Sequence, residues 1–450
     1  MARGKKAVQV LTPEKKLAHA LVPMEEQPYQ LPENWCWTRL LGVIVSSDEK
    51  AEDFSNLELK YVGLENLEKD GGIIGYGSPE GIKSLKNVFH SGQILYGKLR
   101  PYLNKHDIAT FDGICSTDIL VFSTREPVLP QIVNYYFNQS KFIEYAVGNS
   151  KGINLPRVSE NVILNAVFPL PPLAEQHRIV DRIESIFAKL DEAKEKAQTV
   201  VDGFELRKSA ILHKAFTGEL TAKWREEHGM TLDRWTKSTF SDVVDEFKYG
   251  LSEKSDYGYD GIPVFRIPNV TDNGLSFDDL KYLSHSQIDS SSLLRKDDVL
   301  IIRSNGSKEL VGKSVLVPSL DKEYTYASFL IRARLNTKIV PAYFVYYINS
   351  SDARIQMFKK AKSSAGINNI NSKELGAINI LVCSVSEQSE IVRILDEFLD
   401  KENAAKEAAE AVLDQIDTMK KAVLARAFRG ELGTNDPTEE SAVELLKTML

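Results

Sequence analysis

Few residues in this chain combine the types and the spacing that catalysis or cofactor binding requires. Residues 306–314 (GSKELVGKS) resemble a phosphate-binding P-loop, but five residues separate the two glycines where the motif requires four. The seven histidines include no pair at metal-ligand spacing. These motifs therefore indicate no catalytic site, and we expect no metal ion and no cofactor in the chain itself.

Cysteine usage and hydropathy indicate the compartment. Cys36, Cys115 and Cys383 lie far apart in the sequence, as expected of three buried thiols in a reducing environment. Charges interrupt the basic N-terminal segment, so it does not resemble a signal peptide. No apolar run approaches the roughly 20 residues that span a membrane. We predict a cytoplasmic protein with no membrane contact.

Phosphate binding is the chemistry that the charged residues favour locally, although the chain as a whole is acidic. Lys and Arg total 56 against 63 Asp and Glu, a net charge of −7 that alone argues against a nucleic-acid partner. Yet residues 81–105 and residues 353–373 each carry several Lys and Arg and no acid, and residues 303–313 carry three cations against one Glu. Such stretches are often only solvated surface, but they recur in both halves of the chain.

Aromatic and amide side chains are interleaved with these cations, and those types position phosphates and hydrogen-bond to base edges. We therefore predict DNA contacts from two short segments. The candidates in the first half are Lys98, Arg100, Tyr102, Asn104 and Lys105. The candidates in the second half are Arg303, Asn305, Ser307 and Lys313.

An internal repeat organises the chain. Residues 174–221 align with residues 386–433 at a constant offset of 212, with 19 identities in 48 positions. Positions alternately four and three apart are apolar at nine of ten places in each copy, which predicts one long coiled-coil helix per copy. The predicted seam residues are Ile179, Ile183, Ile186, Leu190, Val200 and Phe204 in the first copy, and Ile391, Leu395, Phe398, Val412 and Ile416 in the second.

Each helix follows a globular segment, and the two segments share an order of elements. Each opens on a tryptophan, Trp35 or Trp235, continues with short β-like runs and an aromatic helix, and ends in a Gly-Ile-Asn tripeptide at Gly152 or Gly366. The predicted divisions are an N-terminal extension (1–34), a first globular domain (35–173), a first helix (174–221), a second globular domain (222–385), a second helix (386–433) and an acidic tail (434–450).

Two alike helices pack most simply against each other, antiparallel, about an approximate two-fold axis. The predicted fold class is α+β, with two globular α/β domains separated by two long antiparallel coiled-coil helices. Duplex DNA has the same symmetry, so two diverged domains would read an asymmetric, two-part site. Two alternatives stay open: a coiled-coil scaffold with two protein-binding heads, and an enzyme that acts alone.

Residues 169–176 (PLPPLAEQ), which lead into a long helix that closes with residues 214–221 (KAFTGELT), resemble the specificity subunit of type I restriction–modification systems. The second copy, which closes with residues 427–432 (AFRGEL), is similar to the second conserved region of that family. There, residues 383–386 (CSVS) replace the proline-rich lead-in.

The resemblance implies that the globular segments are target-recognition domains for a bipartite sequence in double-stranded DNA. It also implies that the helices set the spacing of the two half-sites and dock two methyltransferase subunits, to which restriction subunits are added. Such a subunit has no catalytic site. S-adenosylmethionine and ATP would bind the partner subunits.

Overall fold

The computed structural model describes residues 12–52, 59–258, 260–364 and 366–450, so the first eleven residues of the predicted N-terminal extension lie outside the described residues. The chain divides into two compact units. Unit 1 comprises residues 1–197 and 411–450, and unit 2 comprises residues 198–410. Each long helix therefore contributes one half to each unit.

Unit 1 combines short helices with two four-stranded sheets. Its helices before the first long helix are α1 (Pro13–Ala20), α2 (Pro130–Tyr136), α3 (Ser140–Gly148) and α4 (Glu160–Asn165). Its strands are β1 (Cys36–Arg39), β2 (Ile44–Ser46), β3 (Lys50–Ala51), β4 (Lys60–Val62), β5 (Lys86–Phe89), β6 (Ile94–Gly97), β7 (His106–Ile108), β8 (Gly113–Cys115), β9 (Ile119–Thr124) and β10 (Val167–Leu170). The sheets have the orders β2-β9-β6-β7 and β3-β5-β8-β4, and β1 pairs with β10.

The first long helix is α5 (Leu173–Thr217), and unit 2 follows it. The helices of unit 2 before the second long helix are α6 (Ala222–Glu227), α7 (Phe240–Val243), α8 (Pro341–Ile348), α9 (Ser351–Lys360) and α10 (Ser372–Gly376). Its strands are β11 (Thr236–Thr239), β12 (Val244–Tyr249), β13 (Ile262–Phe265), β14 (Val270–Thr271), β15 (Gly274–Leu275), β16 (Lys281–Leu283), β17 (Val299–Ile302), β18 (Ser304–Asn305), β19 (Ser314–Leu316), β20 (Thr325–Tyr326), β21 (Leu330–Leu335), β22 (Lys362–Ser364), β23 (Ile367–Asn369) and β24 (Asn379–Val382). The second long helix is α11 (Val385–Ala427), and α12 (Ala442–Met449) returns to unit 1.

The two units share a sheet topology. Unit 2 contains a sheet of order β12-β21-β17-β19, which corresponds strand for strand to β2-β9-β6-β7 of unit 1. The antiparallel pair β11-β24 likewise corresponds to β1-β10. The central strands β6 and β17 are apolar and buried because a neighbour covers each of their edges and both faces are packed. The predicted repeat of a mixed α and β domain is confirmed.

Both long helices end where a glycine adopts the left-handed conformation. Gly218 follows α5 with φ 82°, and Gly430 lies three residues after the end of α11 with φ 72°. A residue with a β-carbon pays a steric cost there, which is why glycine stops helices in this way. The predicted helical segments, 174–221 and 386–433, therefore extend four and six residues beyond the helices themselves.

The long helices run antiparallel within each unit. In unit 1, Ile179 near the start of α5 shares a core with Leu424 near the end of α11, and farther along α5 Asp191 pairs with Lys420 at 2.6 Å. In unit 2, Leu212 near the end of α5 shares a core with Ile391 near the start of α11. The predicted antiparallel pairing is confirmed.

Most predicted seam residues are buried or half-buried, but the assignment of Val412 to the seam is wrong. Its side chain is 41% exposed, while Leu413 beside it is half-buried. The inward-facing positions of α11 are Ala409, Leu413 and Ile416, which are spaced four and then three residues apart. The prediction had spaced these positions three and then four residues apart, which placed Val412 in the seam. The same shift makes Leu399 more buried than the predicted Phe398.

The Glu-Gln pair that recurs at the start of each helix ties the helix to its globular domain. In unit 1, buried Glu175 accepts a hydrogen bond from Trp35 Nε1 at 2.6 Å, and Gln176 accepts one from the Leu129 amide at 3.2 Å. In unit 2, Glu387 accepts from Trp235 Nε1 at 3.0 Å, and Gln388 accepts from the Val340 amide at 2.7 Å. The repeated residues therefore fix each long helix to the residue before the first strand of its domain and to the residue before helix α2 or α8.

The surroundings of the two glutamates differ. The Arg225 guanidinium lies 2.5 Å from Glu387, and both side chains are almost fully buried. Glu175 instead accepts hydrogen bonds from Thr434 Oγ1 at 3.1 Å and Asn435 Nδ2 at 2.8 Å. We call Glu175 and Glu387, with the residues that bind them, the helix anchors of unit 1 and unit 2. The anchor of unit 2 is a buried ion pair, whereas Glu175 in the anchor of unit 1 accepts hydrogen bonds from neutral donors.

The two ends of the described chain pack together in unit 1. Tyr29 donates to the Phe428 carbonyl at 3.0 Å, and Asn34 Nδ2 donates to the Asp436 carbonyl at 2.9 Å. Ala442 and Leu446 of α12 are fully buried in the core that also contains Ala20 of α1. The acidic tail therefore contributes an apolar helix to the unit.

The three cysteines are free and buried, as predicted. Burial raises the pKa of each thiol to about 12, so each remains a protonated apolar side chain. Among the described residues, no helix is both long and apolar enough to cross a membrane.

Candidate nucleic-acid interface

The two predicted DNA-binding segments occupy equivalent places in the two units. Loop 1 (residues 98–105) follows the central strand β6, and loop 2 (residues 303–313) follows the central strand β17. Both strands are central in corresponding sheets, so the loops leave their sheets at the same relative position. The sequence selected both loops by their cations and by the aromatic and amide side chains among them, and the topology relates the loops independently.

A β-hairpin supports loop 1. Hairpin 1 (residues 151–157) is closed by two main-chain hydrogen bonds of 2.8 Å between Lys151 and Arg157. The Val158 amide donates to the Lys98 carbonyl at 3.0 Å, and the Arg100 amide donates to the Pro156 carbonyl at 2.7 Å. Hairpin 1 therefore fixes the backbone from which two predicted contact residues project.

An equivalent hairpin supports loop 2. Hairpin 2 is formed by β22 and β23, and β23 pairs with β18 so that Ser304 faces Asn369 and Asn305 faces Asn368. The Ile370 amide donates to the Arg303 carbonyl at 2.9 Å. Arg303 and Lys98 thus hold the same position in their units, and each unit presents one cation there.

In unit 1, Arg100 and Tyr102 are available to a ligand. Arg100 is exposed and has a left-handed φ of 53°, so its side chain projects from a sharp turn. Tyr102 is 50% exposed, and Lys98 is half-buried. The exposed faces of these three side chains are suited to contacts with phosphate and bases.

The prediction that Asn104 contacts DNA is wrong for this structure. Its side chain is only 1% exposed, and its amide hydrogen-bonds to the amide of Asn138 over 2.8 Å. The prediction assumed that the polar Asn104 side chain lies at the surface. Asn104 instead adopts a left-handed conformation, with φ 45°, and its side chain points into the domain. Asn104 is a positioning residue of loop 1.

A buried histidine completes this interior network. His106 Nδ1 lies 2.7 Å from Asn134 Oδ1, and His106 Nε2 lies 3.2 Å from Asn138 Oδ1. Burial lowers the pKa of His106, so the ring is neutral and donates only one proton. Asn138 Oδ1 also accepts a hydrogen bond from Asn104 Nδ2 at 2.8 Å. His106 donates its one ring proton from Nδ1 to Asn134 Oδ1, the shorter of its two contacts.

Lys105 is also committed to the interior of unit 1. Its ammonium group donates to the Leu64 carbonyl at 2.7 Å, and the side chain is half-buried. Lys105 therefore connects loop 1 to the turn that follows strand β4 rather than presenting a free cation.

In unit 2, the predicted residues of loop 2 are held by local contacts. The Arg303 guanidinium lies 4.6 Å from the centre of the Tyr249 ring, and Asn305 Oδ1 accepts from the Ser307 amide at 2.8 Å. Exposed Ser307 donates to Glu309 at 2.6 Å, and that hydrogen bond lowers the pKa of Glu309. These contacts order the loop, and Gly306, Ser307 and Lys308 remain exposed at its tip.

Lys313 lies apart from that tip. It precedes β19, and its ammonium is 2.9 Å from Asp272 in the turn between β14 and β15. The hydrogen bond from Lys313 lowers the pKa of Asp272, with smaller effects from Lys208 and Lys406. A DNA contact by Lys313 would have to compete with this carboxylate.

Sequence reasoning missed four residues of the two hairpins. Lys151 and Arg157 are exposed cations of hairpin 1, and Arg157 Nε lies 3.3 Å from Asp118. Ile153 in the turn of hairpin 1 and Ile367 at the start of β23 are exposed apolar residues. They are not equivalent, because Arg157 and Asn369 hold corresponding positions in the pairing with the loops, which aligns Ile367 with Leu155.

Two segments with motif-like spacing do not form catalytic sites. Residues 306–314 lead into strand β19, whereas a P-loop must lead into a helix whose N-terminus binds phosphate. Residues 148–152 (GNSKG) match the G-x-S-x-G spacing of a nucleophile elbow, but they join helix α3 to hairpin 1 rather than a strand to a helix. Ser150 there donates to the Val147 carbonyl at 2.7 Å. Among the described residues, no cluster of three His, Cys, Asp or Glu side chains could hold a metal ion.

Two solved structures share the fold of this chain. The HsdS subunit from Thermoanaerobacter tengcongensis superposes with a TM-score of 0.64 at 23% identity, over 91% of this chain and 100% of that chain. A chain from a study of complex assembly and conformational transition in the type I R-M system superposes with a TM-score of 0.70 at 23% identity, over 90% of this chain and 100% of that chain. At this identity, these structures show a shared fold.

Similar curated proteins carry related names. The EcoKI specificity subunit of Escherichia coli K12 is 28% identical over 327 residues, which cover 72% of this chain and 68% of that protein. The StySPI specificity subunit of Salmonella potsdam is 25% identical over 300 residues, which cover 66% of this chain and 64% of that protein. The chain thus matches about two thirds of the length of each.

The family described as the type I restriction modification DNA specificity domain matches residues 49–200 and 233–415. The two matches cover most of the chain, one for each globular segment with part of the helix that follows it. The chain belongs to the family of type I restriction–modification DNA specificity subunits and carries two copies of its domain.

Proposed function

We propose that each unit reads one part of a two-part, asymmetric sequence in double-stranded DNA. The observation that carries this proposal is the equivalence of loop 1 and loop 2. They follow corresponding strands and rest on corresponding hairpins, yet their sequences differ: KLRPYLNK in loop 1 against RSNGSKELVGK in loop 2. Equivalent surfaces with different side chains suit two different half-sites.

The residues that we assign to DNA contact follow from their exposure. In unit 1 they are Lys98, Arg100 and Tyr102, with Lys151 and Arg157 of hairpin 1 added as phosphate contacts. In unit 2 they are Arg303, Asn305 and Ser307, with Lys308 added at the exposed tip of loop 2. Lys313 takes part only if its ion pair with Asp272 opens.

The long helices set the distance between the two half-sites and dock the partner subunits in this proposal. Their two copies keep 19 identities in 48 positions while the loops have diverged, as expected if each copy binds the same partner. We propose two methyltransferase subunits as those partners, one for each copy, with restriction subunits added to the complex. A structure of complex assembly in the type I R-M system is among the relatives in fold.

The proposed subunit is non-catalytic. S-adenosylmethionine and ATP bind its partners, and this chain supplies recognition and geometry. Because its target is DNA, we place the chain in the compartment that holds the DNA, which for this family is the cytoplasm.

Selection from a pool of randomised duplexes tests the proposal. The full chain, purified with its methyltransferase subunits, is incubated with the pool at moderate salt, and retained duplexes are sequenced. We expect two short blocks of different sequence at one constant separation. A single block, or two identical blocks, would contradict the two-unit reading.

The alternative is a coiled-coil scaffold with two protein-binding heads and no affinity for DNA. Filter retention of pooled random duplexes, with and without the methyltransferase subunits, separates the two functions. The DNA-reading proposal requires retention that falls steeply with salt. A scaffold retains no duplex in either case.

A further inference from the structure

The guanidinium of Arg303 in loop 2 is held by two neighbours. Its carbon Cζ lies 4.6 Å from the centre of the Tyr249 ring, which supports the cation by a cation–π contact. Along one edge, Nε and Nη2 both donate to Asn369 Oδ1 at 3.4 Å. Few orientations of the guanidinium satisfy both neighbours, so a ligand meets an arginine whose direction is already restricted.

Tyr249 is itself bound at both ends of its side chain. It is the last residue of β12 and faces Ile331 of β21. At the other end, its hydroxyl accepts from the Ser372 amide at 3.0 Å and donates to Ser372 Oγ at 3.2 Å. The ring therefore cannot leave Arg303 without breaking hydrogen bonds at the start of α10.

The end of the guanidinium formed by Nη1 and Nη2 is left for a ligand. In the part of the chain that the structure describes, Nη1 makes no hydrogen bond, and Nη2 uses one of its two protons on Asn369. One N–H from each nitrogen is thus available, side by side and in one plane. Two such donors match a ligand that carries two adjacent acceptors.

An exposed aromatic side chain lies beside this fork. The Arg303 amide donates to the Phe329 carbonyl at 3.0 Å, which extends the pairing of Ile302 with Leu330 by one residue. Residues that face each other across antiparallel strands project on the same side of the sheet. Phe329 is 56% exposed, so a ligand that reaches Arg303 also meets an apolar surface. This combination suits the edge of a base in a groove better than a phosphate.

Guanine is the base whose major-groove edge fits the fork. Its N7 and O6 are two adjacent acceptors, and a bidentate arginine is their commonest specific partner. Adenine presents one acceptor and one donor there, cytosine presents a donor, and thymine presents one acceptor and a methyl group. Among the four bases, only guanine accepts from both N–H groups.

We propose that Arg303 is a specificity-determining residue that donates two hydrogen bonds to N7 and O6 of one guanine in the half-site of unit 2. Tyr249 is the positioning residue that holds Arg303 for this contact. This inference rests on the proposed DNA-reading function and deepens it. Unit 1 carries Lys98 at the equivalent position, and an ammonium group has no planar fork. The contact therefore belongs to one of the two half-sites.

Replacement of guanine N7 isolates the contact. The duplex selected by the full chain with its methyltransferase subunits is resynthesised with each guanine replaced in turn by 7-deazaguanine. This base keeps base pairing and O6, and it carries C–H in place of N7. We expect a guanine in one half-site at which the replacement weakens binding about tenfold. Arg303→Ala should bind the unmodified duplex about tenfold more weakly and should not respond to 7-deazaguanine at that position.

Further variants separate the fork from the charge and the ring from the fold. Arg303→Lys keeps the charge without the fork, so it should bind more weakly with an unchanged salt slope. Tyr249→Leu should weaken binding about threefold and reduce the response at the same guanine. Unchanged responses at the other guanines show that this variant is folded, and Tyr249→Phe, which keeps the ring, should retain most of the response. Tyr257→Leu is the matched control, because Tyr257 is exposed and its ring centre lies 4.8 Å from Lys281 Nζ elsewhere in unit 2.

The outcomes distinguish this inference from the function on which it rests. If no duplex is enriched, the DNA-reading function fails and this inference fails with it. If a duplex is enriched but Arg303→Lys binds it as the unaltered chain does, Arg303 contacts phosphate, and only the guanine contact is refuted. A response of Arg303→Ala at every sensitive guanine refutes that contact as well. If Tyr249→Leu behaves like Tyr257→Leu, the positioning role of Tyr249 is refuted.

Discussion

In unit 2, Arg207 Nε of α5 lies 2.7 Å from Glu402 Oε2 of α11. Each is the one charged residue among the ten seam positions of its own helix, and both are partly shielded from solvent. Any other register of the two helices would leave at least one of these charges facing apolar side chains. The pair therefore selects a single antiparallel register, as polar seam residues do in coiled coils.

The repeat makes this pair specific to one unit. At the offset of 212, the positions equivalent to Arg207 and Glu402 are Met419 and Leu190, both in unit 1. The same site is thus polar in unit 2 and apolar in unit 1. The two halves of the helix pair are distinguishable although the helices are alike.

A double-mutant cycle tests this role. Glu402→Leu alone leaves Arg207 unpaired and should lower the free energy of unfolding by about 1 kcal/mol or more, and Arg207→Met alone should do the same. The double variant carries the residues found at the equivalent site of unit 1 and should regain most of the loss. Urea unfolding followed by circular dichroism measures it. Additive losses in the double variant would show that the two charges do not interact.

Neutralising the first predicted DNA contacts should change both affinity and salt dependence. Lys98→Ala with Arg100→Ala removes two cations from loop 1, so the slope of log affinity against log salt should fall by about 2. Lys196→Ala with Lys401→Ala is a matched control, because both lysines are exposed on the long helices and paired with glutamates one turn away. An unchanged slope in the loop 1 variant would move the DNA surface elsewhere.

The two helix anchors should differ in strength. Glu387→Gln leaves the buried Arg225 without a counter-charge and should cost about 3 kcal/mol of unfolding free energy. Glu175→Gln replaces a carboxylate with an amide oxygen, a weaker acceptor, while the donors around it are neutral. This substitution should lower the free energy of unfolding by about 1 kcal/mol. Urea unfolding followed by tryptophan fluorescence compares them, because Trp35 and Trp235 each contact one anchor. Equal losses would contradict the ion-pair account.

His106 should make unit 1 sensitive to acid. Its pKa is lowered in the folded chain by burial, so below about pH 6.5 the unfolded chain binds a proton that the folded chain excludes. Stability therefore falls as the pH drops from about 6.5 to the folded pKa. His106→Gln retains a donor for Asn134 and should flatten the decline in thermal stability between about pH 7 and pH 5. If the thermal stability of the variant declines as steeply as that of the unaltered chain, groups other than His106 cause the decline.

The sequence indicated the helices well and the globular parts poorly, for physical reasons. The seam repeats every seven residues over the 45 residues of α5, and glycines end both helices, so local patterns were sufficient. The sheets are made of strands of two to six residues whose partners are distant in the chain, as when Cys36 of β1 faces Leu170 of β10. No local pattern records such a pairing.

The sequence identified two loops that the fold relates to each other, but it misjudged the exposure of one side chain among them. Lys98 and Arg303 were found from charge, and the structure gives them equivalent positions. Asn104 failed because its side-chain type does not record the turn that buries it.

The central claim is that two units read two parts of one DNA sequence at a separation set by the long helices. Inserting seven residues after Ala197 and seven after Glu410, at the boundary between the units, lengthens both helices together by about 10 Å and keeps their apolar faces aligned. Selection from randomised duplexes should then return the same two blocks as the unaltered chain, separated by about three more base pairs. The same blocks at the original separation would contradict the account.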